Sequence, residues 1–272
     1  MKFMKKQKKI RYNNFYEDFI MNFEDIKKQL IEFLKTEVAK TGLQNVTVGI
    51  SGGLDSAIVA VLCKEAFGDK FSGVLMPSQF SSDGSINDAL ELCKKFDISY
   101  EVVEIKPMLE AYIKNMNDDK LRIGNYSARI RMSVLYDISA RDNSLVVGTS
   151  NKSEILLGYG TIFGDIACAI NPIGEMYKSD EFEFAKYLGV VDAIILKKPS
   201  ADLWEGQSDE DDLGYSYSVM DEVLKQLVDE NKSKEELIKD GVEKELIEMC
   251  EYRIKSNAFK GKLPIIANIK GY

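Results

Sequence analysis

Apolar residues recur along this chain at two alternating spacings, one typical of helices and the other of buried strands. Between residues 23 and 40 they recur at every fourth position, which places them on one helix face. Residues 45–50 form a short run rich in β-branched side chains, as expected of a strand. Extended along the chain, the pattern predicts helices over 23–40, 57–67, 86–96, 107–116 and 125–140, and strands over 45–50, 71–76, 100–105 and 144–147.

Strands that alternate with helices indicate a doubly wound α/β fold, in which helices cover both faces of a parallel sheet. Past residue 159 the pattern changes to a glycine-rich stretch and then to helices, including 216–228 and 242–255. We therefore predict a helical C-terminal annex. With no stretch typical of a linker, residues 21–272 are predicted to form a single domain, and the basic residues 1–20 a poorly ordered extension.

Composition and charge exclude several classes of function. The chain has no histidine, which excludes Ser-His-Asp and Cys-His catalysis and histidine-ligated zinc. A net charge of −8 disfavours nonspecific nucleic-acid binding. No apolar run is long enough to cross a membrane, and no signal peptide precedes the four cysteines, which lack any CxxC pair. These features predict a cytoplasmic protein with reduced thiols.

The segment Ser51–Ser56, Ser-Gly-Gly-Leu-Asp-Ser, carries the strongest chemical signal in the sequence. It follows a predicted strand and opens a predicted helix, which is the setting of a phosphate-binding loop. Because glycine lacks a Cβ, backbone N–H groups can approach phosphate oxygens closely. Asp55 would repel a bare anion, so its presence indicates a bridging Mg²⁺ ion. The alternative is a glycine-rich turn with a purely structural role.

This hexapeptide resembles the signature of the N-type ATP pyrophosphatases, or PP-loop enzymes, which split ATP between its α- and β-phosphates and adenylate a substrate. Within this superfamily, five further stretches resemble the bacterial ammonia-dependent NAD synthetases: 148–154, 171–178, 198–203, 208–210 and 259–262. The resemblance extends from about residue 21 to residue 269. The resemblance implies a homodimer that uses ATP, Mg²⁺ and ammonia to convert deamido-NAD⁺ into NAD⁺. It also implies an acyl-adenylate intermediate and release of AMP and pyrophosphate.

The same resemblance implies roles for individual residues. Asp55 and Glu154 would bind Mg²⁺, and together with Lys178 they would be the catalytic residues. Residues at the positions that contact ATP are Gly49, Ile50, Ser51, Gly52, Gly53, Leu54, Asp55, Ser56, Thr149, Lys178 and Ser200. Deamido-NAD⁺ would contact Arg129, Phe259 and Lys260. In some family members, a lysine and an aspartate contact the dinucleotide from the positions that correspond to Ile162 and Ala169. Both residues are apolar in this chain.

Several alternatives stay open at the level of sequence. The chain could be another PP-loop adenylating ligase, such as a tRNA-modifying enzyme, or a nonenzymatic adenine-nucleotide-binding protein. Arg131 competes with Arg129 for a role at the substrate. The acidic stretch 202–212 is either a solvated loop or a lid over bound ATP. Free ammonia is expected as the nitrogen donor, because a triad-type glutaminase needs a histidine.

Overall fold

A parallel sheet of four strands lies at the centre of the part of the chain described by the computed structural model, namely residues 22–200, 204, 206–262, 266, 267 and 269. The strands are β1 (Asn45–Gly49), β2 (Phe71–Leu75), β3 (Ser99–Val102) and β4 (Ser144–Val146). Their order across the sheet is β3-β2-β1-β4. Val46 pairs with Phe71 on one side and with Leu145 on the other. A parallel bridge between Val147 and Ile170 continues the pairing beyond β4.

Helices surround this sheet and form the C-terminal annex. Their bounds are α1 (Phe23–Lys40), α2 (Leu54–Phe67), α3 (Asp83–Lys95), α4 (Lys106–Ile113), α5 (Lys120–Asp142), α6 (Lys152–Leu157), α7 (Lys178–Leu188), α8 (Asp192–Ile195), α9 (Asp209–Leu213), α10 (Tyr217–Leu224), α11 (Lys234–Lys239) and α12 (Lys244–Asn257). A π-helical turn, Lys225–Asp229, extends α10. The predicted α/β fold is confirmed. The prediction for residues 1–20 lies outside the described residues, and the single-domain prediction stays a prediction.

The central strands β1 and β2 are buried on both faces, as expected of a parallel sheet covered by helices, whereas the edge strand β3 is largely exposed. One core contains residues of β1, α1 and α2, among them Val48, Leu34 and Ile58. The core on the opposite face contains residues such as Val74 of β2 and Ile130 of α5. A third cluster joins the annex helices to the end of α6. Within the described ranges, no helix is long and apolar enough to cross a bilayer.

The strand order determines where a ligand can bind. The chain runs outward from β1 through β2 to β3 and then returns to place β4 on the other side of β1. Strands β1 and β4 are therefore neighbours, and the loops that follow them diverge. The crevice between these two loops is a topological switch point. Ligands of doubly wound sheets bind in such crevices. The 51–56 loop and the 148–154 stretch both lie at this point.

Candidate active site

The loop between β1 and α2 turns sharply at Gly52, whose φ angle is +80°. A Cβ at this position would lie 2.0 Å from the backbone oxygen of Ser85, so a side chain cannot be accommodated. Ser56 Oγ accepts a hydrogen bond from the Ser51 N–H at 3.2 Å, and Ser51 Oγ accepts one from the Gly53 N–H at 3.1 Å. The loop is thus braced internally at the N-terminus of α2, where the helix dipole favours an anion.

Gly52→Ala is expected to raise KM for ATP more than tenfold and to lower the melting temperature. The matched control is Gly42→Ala, because Gly42 has a similar φ of +78° but open space within 4 Å of the point where a Cβ would lie. Both variants carry the strain of a left-handed alanine, about 1 kcal/mol. Steady-state kinetics and thermal melts compare them. An equal effect of the two substitutions on KM would show that the contact with Ser85 does not matter.

The crevice opens into a cavity of about 800 Å³, a volume suited to a nucleotide-sized ligand. Most residues that the sequence assigns to binding line it: Gly49, Ile50, Ser51, Gly53, Leu54, Asp55, Ser56, Thr149, Glu154, Lys178, Ser200 and Lys260. Gly52 lies behind the loop surface, against Ser85. Arg129 and Phe259 are not part of the cavity wall. Residues from five separate segments therefore converge on one cavity.

At the base of this cavity, Asp55 is held by two partners from distant parts of the chain. Its Oδ1 accepts a hydrogen bond of 2.7 Å from Asn151 Nδ2, and its Oδ2 forms an ion pair with Lys178 Nζ. Lys178 Nζ also lies 3.4 Å from Oε2 of the fully buried Glu181. Asn151 caps α6 in a capping box with Glu154. One hydrogen-bonded frame thus places both predicted metal ligands beside the lysine.

Burial and mutual charge shift the pKa values of these groups in different directions. Burial would raise the pKa of Asp55, but the Lys178 ammonium and the hydrogen bond from Asn151 lower it. Burial and the negative charge of Asp55 raise the pKa of Glu154 well above its usual value. Burial would lower the pKa of Lys178, but the charges of Asp55, Glu181 and Glu154 raise it. The lysine is therefore a permanent cation opposite ionised Asp55.

Asp55 and Glu154 together could hold a divalent cation. Mg²⁺ is commonly bound by one or two protein carboxylates together with phosphate oxygens and water. Burial and the nearby charge of Asp55 raise the pKa of Glu154, and a bound cation would favour its ionised form. No group of three or more His, Cys, Asp or Glu side chains suited to a metal occurs in the described part of the chain. The donor set therefore fits a metal that phosphate oxygens help to bind.

Two arginines of α5 have different surroundings. Arg131 lines the cavity, and its Nε donates a 3.0 Å hydrogen bond to the backbone oxygen of Met76. Arg129 lies exposed on the helix, where its Nε donates to the backbone oxygen of Ile162 at 3.3 Å. Ala169 is also exposed, and its N–H bonds to the Val146 oxygen. The choice of Arg129 over Arg131, and the effect of the apolar residues at 162 and 169, stay predictions.

Of the two C-terminal residues assigned to the dinucleotide, Lys260 lines the cavity and Phe259 does not. Lys260 Nζ donates hydrogen bonds to the backbone oxygens of Gly158 at 2.7 Å and Gly160 at 3.0 Å. Phe259 is half-exposed, with 52% of its surface accessible. Lys260 is thus anchored to the cavity wall, whereas Phe259 is accessible to solvent.

The described part of the acidic stretch is not simply a solvated loop. Residues 209–213 form α9, and Asp209 and Asp212 line the cavity. The hydroxyl of Tyr159 lies 3.0 Å from Asp209 Oδ1 and 2.9 Å from Asp212 Oδ2. Tyr159 therefore connects this short helix to the end of α6.

The site also contains residues whose roles are not predicted by the sequence motifs. Asn151 could have been found from its spacing to Glu154, which is that of a capping box. Glu181 follows Lys178 by three residues, the spacing of an ordinary surface ion pair on a helix, and nothing in the sequence reveals its burial. Lys197, whose Nζ donates to Ser85 Oγ at 2.6 Å, lines the cavity beside the phosphate-type loop.

Comparisons with known proteins show which family this chain resembles. The sequence model of the NAD synthase family matches residues 26–264. The NH₃-dependent NAD⁺ synthetase of Wolinella succinogenes is 50% identical over 254 residues, which cover 93% of this chain and 98% of that protein.

Solved structures show the same relationship. The NH₃-dependent NAD synthetase of Campylobacter jejuni superposes with a TM-score of 0.78 at 43% identity and covers 91% of this chain and 100% of its own. The NMN synthetase of Francisella tularensis superposes with a TM-score of 0.81 at 31% identity, covering 91% and 99%. With a matched family model over most of its length and relatives near half identity, this chain belongs to the NAD synthase family.

Proposed function

We propose that this enzyme amidates the nicotinate carboxylate of deamido-NAD⁺ with free ammonia, with ATP bound at the 51–56 loop and Mg²⁺ held by Asp55 and Glu154. The observation that carries this assignment is the cluster of Asp55, Glu154 and Lys178 at the N-terminus of α2. It faces a cavity large enough for a nucleotide. The free-ammonia donor is supported by the relatives named NH₃-dependent and by the absence of histidine.

The chemistry requires activation of a carboxylate, because its direct reaction with ammonia would expel oxide. Attack of the carboxylate oxygen on the α-phosphorus of ATP releases pyrophosphate and forms an acyl-adenylate. Ammonia then attacks the acyl carbon, and AMP leaves with the carboxylate oxygen. No covalent bond to the protein forms, so the enzyme contributes positioning and charge stabilisation.

Each residue of the cluster has a defined part in this reaction. The N–H groups of the 51–56 loop and the N-terminus of α2 bind phosphate oxygens. Lys178 places a permanent positive charge where negative charge develops on the phosphates. Asp55 and Glu154 would hold Mg²⁺, which neutralises phosphate charge when bound. Asn151 fixes Asp55 by its 2.7 Å hydrogen bond.

Product analysis tests the assignment. The protein is incubated with ATP, MgCl₂, ammonium chloride and deamido-NAD⁺, and nucleotides are separated by chromatography. We expect NAD⁺, AMP and pyrophosphate in equal amounts, and none of them when the dinucleotide is omitted. With carboxyl-¹⁸O-labelled dinucleotide, the label should appear in AMP. Formation of ADP, or ¹⁸O in pyrophosphate, would overturn the mechanism.

A second candidate substrate is the mononucleotide of nicotinate. The F. tularensis protein, which superposes with a TM-score of 0.81, is named an NMN synthetase. Because both substrates present the same carboxylate, the two activities differ only in recognition of the second nucleotide. The ratio of kcat/KM for the two substrates, measured side by side, decides between them. We expect deamido-NAD⁺ to be preferred.

A homodimer is part of the proposal. Arg129 is exposed and does not line the cavity of its own chain, and α5 also exposes Leu121 and Tyr136 at 63% and 40% accessibility. A second subunit packed on α5 would cover these apolar groups and bring Arg129 close to a substrate bound across the interface. We also propose a cytoplasmic location, since all four cysteines are unpaired, as in a reducing compartment.

Arg129→Ala is expected to raise KM for deamido-NAD⁺ about tenfold, the loss of one charge-assisted hydrogen bond, with KM for ATP unchanged. Arg141→Ala is the control on the same helix, because the guanidinium of Arg141 forms an ion pair with Glu101, with 2.6 Å between Arg141 Nη2 and Glu101 Oε1. An unchanged KM for the dinucleotide in Arg129→Ala would leave Arg129 as a solvated surface residue.

A further inference from the structure

The first turn of α7 is capped by residues from elsewhere in the chain. Its own N-cap residue, Tyr177, provides no side-chain hydrogen bond to the helix. Instead, the N–H of Lys178 donates to Ser153 Oγ at 3.0 Å, and the N–H of Ser179 donates to Asp221 Oδ2 at 2.8 Å. Two backbone donors that a helix start leaves unpaired are thereby satisfied by tertiary contacts.

Asp221 also binds the residue that caps Lys178. Its Oδ1 accepts a hydrogen bond of 2.6 Å from Ser153 Oγ. Ser153 belongs to the first turn of α6, whereas Asp221 lies on α10 in the annex. Both residues are completely buried. A single carboxylate therefore joins the first turns of α6 and α7.

These two helix starts carry groups of the active site. Glu154 follows Ser153 directly on α6, and Lys178 is the first residue of α7, with its Nζ on Asp55. The position of the lysine relative to the metal ligands thus depends on how the two turns are held together. We propose that Asp221 is a positioning residue for the amidation reaction, acting through Lys178 and Glu154; this inference rests on the proposed function.

Packing alone does not account for a carboxylate at this place. Burying a charged group costs free energy, and an apolar side chain of similar volume would fill the space at a lower cost. Asp221 instead supplies two acceptor atoms, each aimed at a donor in the first turn of a different helix. The annex therefore contributes to the geometry of the active site as well as to its own core.

The annex provides a matched control in Asp229. Its Oδ1 accepts from Lys152 Nζ and its Oδ2 from Tyr177 Oη, both at 2.8 Å. Asp229 thus connects the annex to the first residue of α6 and to the N-cap residue of α7, but through their side chains, whereas Asp221 bonds to the backbone N–H of Ser179. Loss of Asp229 tests docking of the annex, and loss of Asp221 tests placement of the lysine.

Asp221→Asn and Asp229→Asn are assayed with the wild-type enzyme by NAD⁺ formation and by thermal melts. For Asp221→Asn we expect kcat to fall about 30-fold, as for residues that orient metal or substrate ligands, with KM values within threefold. For Asp229→Asn we expect kcat within twofold of wild type. A folded Asp221→Asn variant with unchanged kcat, or an equal loss in Asp229→Asn, would overturn the proposal.

Two further variants keep the test decisive. In a Lys178→Met background, Asp221→Asn should lower kcat less than tenfold further, because only Glu154 remains of the two groups that Asp221 positions. Full multiplication of the two losses would contradict the proposal. If Asp221→Asn does not fold, Ser153→Ala removes the hydrogen bonds from Ser153 to Asp221 and from the Lys178 N–H to Ser153, leaves Asp221 bonded to the Ser179 N–H, and should lower kcat about tenfold. An unchanged kcat in Ser153→Ala would overturn the proposal. A wild-type enzyme without activity would instead refute the proposed function.

Discussion

Asp55→Asn is expected to lower kcat about 10³-fold while the protein stays folded. The substitution keeps the shape of the side chain but removes the charge that would bind Mg²⁺. It also turns one amide donor toward Asn151 or Lys178, which are donors themselves. The fold should survive because Lys178 still has Glu181 at 3.4 Å as a partner. Rapid-quench measurement of AMP formation, together with a melting curve, separates the two effects.

Asp180→Asn is the control for this experiment. It also replaces an aspartate by an asparagine, but in the first turn of α7. The Asp180 carboxylate pairs with Lys225 of the annex at 3.2 Å. We expect kcat within twofold of wild type for this variant. Near-normal turnover in Asp55→Asn would exclude Asp55 as a metal ligand, whatever the control shows.

Lys178→Met should be as damaging to turnover as Asp55→Asn and more damaging to stability. We expect kcat to fall about 10³-fold, because the permanent cation opposite the phosphates is lost. The free energy of unfolding should fall by about 3 kcal/mol, since Asp55 then lies in the site without its cation. Denaturant unfolding in the absence of nucleotide measures the second effect.

Lys186→Met on the same helix is the control for the lysine. Lys186 is exposed and pairs with Glu183 at 2.6 Å, a type of surface pair that contributes little. Both kcat and stability should stay close to wild type in this variant. If Lys178→Met retains more than a tenth of wild-type kcat, Lys178 does not stabilise the reacting phosphates.

The local part of the site could be predicted from the sequence, because strand, loop and helix are adjacent in the chain. The run 45–50 and the glycines that follow it predict β1, the turn and α2 with small errors at the ends. Short helices are different. The six residues of α6 span less than two turns, so no apolar periodicity can develop in them.

Contacts between distant segments could not be predicted by pattern alone. Asp55 and Lys178 are 123 residues apart, and only the family resemblance brought both into one site. Asp221 precedes Glu222 in an otherwise largely apolar helix, and at the level of sequence such an acidic pair resembles a solvated position. Its two acceptor contacts exist only because the annex packs against the starts of α6 and α7.

The central claim is that the 51–56 loop binds the ATP phosphates through a metal on Asp55 and Glu154. Titration calorimetry tests it by measuring ATP binding to the full chain in a buffer with MgCl₂ and in a buffer with EDTA. We expect one ATP per chain to bind when Mg²⁺ is present and affinity to fall more than tenfold with EDTA. The Asp55→Asn variant should bind equally weakly in both buffers. Equal ATP binding by wild-type protein in both buffers, or none in either, would contradict the claim.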